Sequence, residues 1–595
     1  MRPFALLVSL FFCLSPSIAA PADIDGEADT QQFKELLETQ WQRYLREHPL
    51  FASQQGDYRY NDRWPDLSEN GLRNSHLADI AALDELEKID RSQLSELDRV
   101  NYDLFRRRLE NRLDIYAAGR HVVYQGNQSE PVSARNGVHT RFSVVERIRM
   151  EQESDFEQWA TRLERFGTYL DQSTDLLRQG LEEGIVLPRN IVERILEQVD
   201  TLASDNALSN PFYGPFADIP TTIPRQRRMS LQDKGLALVN ESVIPAFKRY
   251  REFLETEYLP VARQSVGLSA EPGGADFYAN RIRYFTTTDL TWQQIHEIGL
   301  AEVARIRKEM LGIIEETGFE GSFADFLTFL RTDPQFYYDN PQDLYQAYLA
   351  TSKRIDPELV KLFGHLPRTP YGVRPIPAAT APHTTTAYYN GPAQDGSRAG
   401  YYYVNLYRPD VRPKYEIEVL TVHEAMPGHH LESALTLELN ELPTFRRHDY
   451  LTAFSEGWAL YSESLGGELG LYTDPYSRFG QLTYEMWRAV RLVIDTGIHA
   501  MNWDRQKAID YFKDNAAKTE LDIINEVDRY ISWPGQALAY KIGELEIKAL
   551  RAEAEETLGD EFDIRAFHDQ LLANGQVPLN LLKYNTRKWI ESVEP

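Results

Sequence analysis

Residues 423–430 read His-Glu-Ala-Met-Pro-Gly-His-His, and Glu456 follows within the string Phe-Ser-Glu-Gly-Trp-Ala. Three of the chain's 13 histidines fall inside that window. A borderline-soft divalent cation such as zinc takes neutral imidazoles and a carboxylate, and a catalytic site keeps one position open for water. His423, with His429 or His430, and Glu456 offer such a set, enough for one ion per chain. Glu424 stands beside the first histidine, where a carboxylate can take a proton from that water. A structural zinc site fills all four positions with protein ligands and needs no neighbouring base. An acid next to His423, in a chain whose only cysteine is Cys13, therefore argues for chemistry over a structural clip.

The spacing is unusual. In the HExxH pattern the two histidines are four apart, so about one helical turn stacks them on one face. Here the second histidine comes six (His429) or seven (His430) positions after His423, and Pro427 occupies the usual ligand position. Seven residues restore the face but separate the Cα atoms by roughly 10 Å along a straight helix. Metal–nitrogen bonds of about 2 Å cannot bridge that gap. Pro427 lacks an N–H and crowds the carbonyl of His423, and Gly428 tolerates unusual dihedrals. A kink or bulge there would draw His429 or His430 back to the ion. His429 is the first choice, because a Gly-His pair closes related zinc motifs; His430 is the alternative. The pair His296-Glu297 serves as a control, since Leu300 stands where its second ligand would be.

These residues need helices to hold them. From about 30 to 360, apolar residues recur three and four apart, as in Phe33 to Tyr44, Leu94 to Ile115 and Leu290 to Glu315. Prolines and glycines break the period between about 366 and 413, around a strand expected at about 400–406. An exposed edge there would bind an extended peptide backbone, with Tyr388, Tyr389 and Tyr401 to Tyr403 walling the cleft; Tyr403 is a substrate-binding candidate. Helical periodicity returns over 415–438 and 445–468, which carry the metal candidates. Farther on, Arg488, Arg491, Asp495 and His499 mark one helix, and Tyr530, Tyr540 and Lys541 follow. Tyr530, Tyr540 or His499 would hydrogen-bond a developing oxyanion. Arg488, Arg491 or Lys541 would grip a substrate carboxylate. Glu432, Glu463 and Asp495 are candidates to orient the ligands from behind.

The net charge of −26 excludes the basic footprint that nucleic acid or an anionic membrane requires. The opening Arg2, the apolar run from Pro3 to Leu14 and the small residues near Ala20 read as a cleavable signal peptide over 1–22. Cys13 lies inside it, so the mature chain carries no disulfide; lipid attachment at Cys13 is disfavoured by the bulky Leu10-Phe11-Phe12 before it. The expectation is an exported, periplasmic protein with no membrane association once the signal is removed. Two regions are expected, a helical one over 23–365 and a metal-site region over 366–595, packed as one unit.

Four strings together resemble the bacterial domain of unknown function 885: the 423–430 motif, Glu456-Gly457-Trp458-Ala459, Asp495-Thr496-Gly497-Ile498-His499, and Pro534-Gly535-Gln536-Ala537 with Tyr540-Lys541. The likeness runs over nearly the whole mature chain, the segment around His296 to Gly299 included. It implies a mainly α, large helical fold similar in plan to the gluzincin peptidases, which hold zinc with two His and one Glu. The elongated spacing departs from their pattern. The leading expectation is a zinc metallopeptidase for short peptides, with His423, His429 or His430, and Glu456 on the ion and Glu424 as base. Its rivals are a metal-dependent hydrolase of another amide or ester, and a non-catalytic helical binding protein.

Overall fold

The computed structural model describes residues 24–593 apart from 379, 380, 384, 395 and 397, so the expected signal segment and Cys13 lie outside the described residues. The fold is mainly α, with one small sheet. Its axis is the helix Pro475–Met501. Asp474 caps it by accepting from the backbone N–H groups of Tyr476 and Ser477, Pro475 opens the first turn, and Asn502 in the left-handed region ends it. Nearly every residue from Phe479 to His499 is buried, charged ones included. A helix buried on all sides must lie inside other helices.

The neighbours come from both halves of the chain. The helix Trp292–Thr317 runs along the axis. It starts at a capping box between Thr291 and Gln294 and stops at Gly318, φ +70°. Ile417–Glu424, Thr452–Ser464, Glu520–Ser532 and Ala539–Leu558 pack around the same axis from the later half. Thr452–Ser464 crosses Ala539–Leu558 so closely that a Cβ on Gly543 would lie 2.0 Å from the Ala453 carbonyl oxygen. Polar ties join the regions as well: Arg446 donates to Asn101 Oδ1 at 2.9 Å, and Arg194 pairs with Asp528 at 2.6 Å.

The strand expected at about 400–406 is Gly400–Val404 (β3). It stops where Asn405 turns its side chain onto the carbonyls of Ala381 and Thr385. It is also central. Tyr371–Pro375 (β1) pairs with it in parallel, and Ala387–Asn390 (β2) pairs antiparallel on the other side. The expectation that this strand offers its own edge to a peptide is thereby corrected, because both its edges are occupied. β1 and β2 are the edge strands, and β2 lies against the Ile417–Glu424 helix. No helix among the described residues is long and apolar enough to cross a membrane.

Candidate metal centre

The 415–438 stretch is two helices and a break. Ile417–Glu424 ends as the Ala425 N–H donates to Thr421 at 3.0 Å, and His429–Glu438 begins four residues later. Across the break, the Gly428 N–H reaches back to the Val422 carbonyl at 2.9 Å. A Cβ on Gly428 would lie 1.9 Å from the His423 carbonyl oxygen, so only glycine allows this approach. Trp458 Nε1 donates to the Pro427 carbonyl at 2.9 Å and ties the break to the helix that carries Glu456. The reversal brings the rings of His423 and His429 to 4.9 Å between centroids, at 87°.

Glu456 completes the cluster. Its Oε2 lies 3.6 Å from His423 Nε2 and 3.4 Å from His429 Nε2, and the three ligand atoms fall within 4.8 Å of one another. Ligands about 2.0–2.1 Å from one tetrahedral ion stand about 3.4 Å apart. Glu456 Oε2 is buried without a hydrogen-bond partner, which a bound cation would relieve. Burial disfavours a charge on His423, yet the carboxylates of Glu456 and Glu463 raise its pKa to about 9. Burial likewise opposes a charge on Glu456, but His429 and His423 hold its carboxyl well below the usual range. The pocket therefore calls for positive charge, and these residues fit a divalent cation.

Behind the candidate ligands, His423 Nδ1 meets Glu463 Oε1 at 2.8 Å, which orients the ring with Nε2 toward Glu456. Arg488 stands 3.5 Å from the same oxygen. Glu432, three residues beyond His429, is held by Thr436, Ser455 and Gln576. Glu424, at the end of its helix, is half-buried, and among the described residues its carboxylate has no hydrogen-bond or ion-pair partner.

His430 is placed elsewhere. One residue farther round the helix, it faces the sheet, where Nδ1 accepts from the Tyr389 hydroxyl at 2.8 Å and Nε2 donates to the Thr369 carbonyl at 3.1 Å. As a metal candidate it gives way to His429. Other assignments need the same correction. The Tyr530 hydroxyl is fully buried, accepting from Trp487 and Arg491 and donating to Glu526, each at 2.9 Å. His499 spends Nε2 on the Tyr530 carbonyl and Nδ1 on the Leu268 N–H. Lys541 is enclosed by Glu302, Glu485 and Glu544. Arg491 pairs with Glu526 between the rings of Trp487 and Tyr540. Arg488 is buried against Tyr484 and Trp487, and Asp495 binds Tyr278 and the Gly535 N–H. Tyr540 accepts from Arg529 at 3.0 Å and lies within electrostatic reach of Tyr450. Tyr403 is half-buried and stacked on Tyr388 at 4.9 Å. Apart from the half-buried Tyr403, these groups are buried among one another, and the axial helix that carries Arg488, Arg491, Asp495 and His499 has no free face on which a charge could meet substrate.

One residue that sequence reasoning missed touches the cluster. Tyr450 donates to Glu456 Oε1 at 2.8 Å, which leaves Oε2 for the histidines. It is 49% exposed and lines a cavity of about 980 Å³. It also lines a smaller one of about 210 Å³, which reaches Asn390 at the end of β2. It sits in the loop between Thr444–Arg447 and Thr452–Ser464, where no period or motif marks it.

A family model described as "Bacterial protein of unknown function (DUF885)" matches residues 49–585. No curated protein matches. Among solved structures, a candidate lipoprotein from Colwellia psychrerythraea is 28% identical, with a TM-score of 0.86 over 95% of this chain and 99% of that one. A candidate lipoprotein of unknown function from Shewanella oneidensis is 17% identical, with a TM-score of 0.69 over 93% of this chain and 99% of the other, a likeness of fold alone.

Proposed function

Because the chain belongs to the DUF885 family, which is defined without an activity, its chemistry has to come from the site, and we propose that it is a zinc metallopeptidase acting on short peptides. The observation that carries this reading is the meeting of His423 Nε2, His429 Nε2 and the unpartnered Glu456 Oε2, with an unpaired Glu424 next in sequence. Zinc held there supplies a Lewis acid, lowering the pKa of a water and polarising a carbonyl. The Glu424 carboxylate takes the proton of the water that attacks the peptide carbonyl and returns it to the leaving nitrogen. Glu463 keeps the His423 lone pair turned to the cluster, and Tyr450 keeps Glu456 in register; both are positioning residues.

The outer edge of β2 offers main-chain hydrogen bonds to an extended substrate, and the 980 Å³ cavity beyond Tyr450 has room for a short peptide. The candidate lipoprotein descriptions of its structural neighbours and the leader-like first 22 residues support an exported protein. The bulky residues before Cys13 favour a periplasmic form over a lipid-anchored one.

The test is to strip the purified protein with a chelator, reload it with zinc and incubate it with a mixed peptide library read by mass spectrometry. Cleavage that vanishes on stripping and returns with zinc is the expected result. A protein that takes up no metal would overturn the reading. A zinc-loaded protein that spares every peptide but hydrolyses another amide or an ester would move it to the wider class of metal-dependent hydrolases.

A further inference from the structure

The cavity beyond Tyr450 is cationic in a protein of net charge −26. Six arginines line it against four acids. Three of those arginines are matched by acids: Arg112 by Asp79 and Glu47, Arg108 by Asp449, and Arg63 by Asp62. Arg135 and Arg141, from one short segment, have no carboxylate within ion-pair distance among the described residues, and Arg46 on the opposite N-terminal helix is likewise unpaired. Arg141 is half-buried and fixed by neutral groups only, donating to Tyr169 Oη at 3.2 Å and Asn136 Oδ1 at 3.1 Å. Arg135 is exposed into the cavity. Glu130 accepts from Ser133 at 3.3 Å and feels the charge of both arginines, but neither reaches it at ion-pair distance.

Position links this pair to the metal centre. Arg135, Arg141 and Tyr450 line the same cavity. Tyr450 then contacts Glu456. The arginines first expected to hold a substrate carboxylate, Arg488 and Arg491, are committed to Glu463 and Glu526 instead. A guanidinium that is held by neutral groups, as Arg141 is, or exposed into a cavity without an ion-pair partner, as Arg135 is, is suited to a carboxylate.

We propose that Arg135 and Arg141 bind the free C-terminal carboxylate of the peptide, making the protein a carboxy-terminal exopeptidase that releases short C-terminal fragments. The proposal rests on the metallopeptidase reading. In the reaction, the C–O bond to water forms, the amide C–N bond breaks, and the proton passes by way of Glu424 to the nitrogen of the departing fragment, whose carboxylate stays on the arginines.

The experiment uses one peptide as the free acid and as the C-terminal amide. Binding to zinc-loaded Glu424→Gln protein is measured by calorimetry, and hydrolysis with the otherwise wild-type enzyme. The acid should bind and be cleaved about ten- to hundredfold better, the range for one charge-assisted hydrogen-bonded contact. Arg135→Gln and Arg141→Gln should erase that preference by weakening the acid and leaving the amide unchanged, whereas Arg46→Gln should keep it. Arg135 is exposed, so its variant keeps the fold even if Arg141→Gln does not. Equal handling of acid and amide by the wild type, or a preference that survives in Arg135→Gln and in any folded Arg141→Gln, would overturn the proposal. A binding preference without any hydrolysis would instead remove the peptidase reading while keeping the carboxylate site.

Discussion

The Nδ1 of His423 lies 2.8 Å from Oε1 of Glu463, seven residues beyond Glu456 on the same helix. Two turns of one helix thus supply both a candidate ligand and the group that orients its partner ligand. Partners of this kind fix ring orientation and raise ligand basicity, and removing them typically costs 10- to 100-fold in metal affinity. Glu463→Gln should weaken zinc binding by about that factor while the protein stays folded. Competition with a zinc-selective chelator reads it directly.

Tyr450→Phe removes the hydrogen bond to Glu456 Oε1 but keeps the ring. A hydrogen bond to a charged group is worth about 1.5–3 kcal/mol, and water from the cavity can replace part of it. Zinc affinity should fall roughly tenfold. Tyr530→Phe should do the opposite. It leaves buried Trp487 and Arg491 donors without their acceptor, so stability should drop by about 1–3 kcal/mol with zinc content unchanged. Denaturant titration and metal analysis of the two variants separate the roles.

The residue types of the site were legible in the sequence, and its shape only in part. The window at 423–430, Glu456 and Glu463 could be picked out, and Pro427-Gly428 announced an interruption. What spacing alone could not supply was that the interruption ends one helix and starts another with His429 as its first residue. The same limit explains the misplaced groups. Tyr530 and Lys541, on two later helices, looked like groups for an oxyanion and a carboxylate, and Arg491 and His499 like a site wall because they are polar residues on an apolar helix. Here Val490, Leu492, Val493 and Ile494 cover every side of that helix, a sign that its charges are paired internally. Tyr450 and Arg135 lie in irregular segments and Arg141 in the 3-10 helix Val138–Arg147, where neither periodicity nor motif speaks.

Gly428→Ala tests the break. The added Cβ would overlap the His423 carbonyl oxygen at 1.9 Å, so the two helices must move apart. Overpacking of this kind costs about 1–3 kcal/mol, and the His423–His429 approach should be lost with it. A lowered melting temperature together with lost zinc is the expected outcome. An alanine variant with full zinc content would show that the close approach is dispensable.

Asp495 predicts a pH dependence. Burial raises its pKa from 3.8 to about 7, against the opposing hydrogen bonds of Tyr278 and the Gly535 N–H. A folded-state pKa above the unfolded value means stability present below about pH 4 is lost as pH rises to about 7 and is flat above it. Asp495→Asn removes the titration and should lose nothing over that window. Denaturation of both proteins at intervals from pH 4 to 8 should show the wild type falling relative to the variant between 4 and 7; parallel curves would contradict the shift.

The central claim is that the His423, His429 and Glu456 cluster performs hydrolysis with Glu424 as its base. The most direct measurement compares zinc-loaded wild type with Glu424→Gln on a peptide that the wild type cleaves. The amide keeps size and hydrogen bonding but cannot take the proton of water as a carboxylate does. Both proteins should hold about one zinc per chain, as a three-ligand site implies, and the variant should be slower by about a hundredfold or more. A Glu424→Gln protein that hydrolyses the peptide at the wild-type rate would contradict the account.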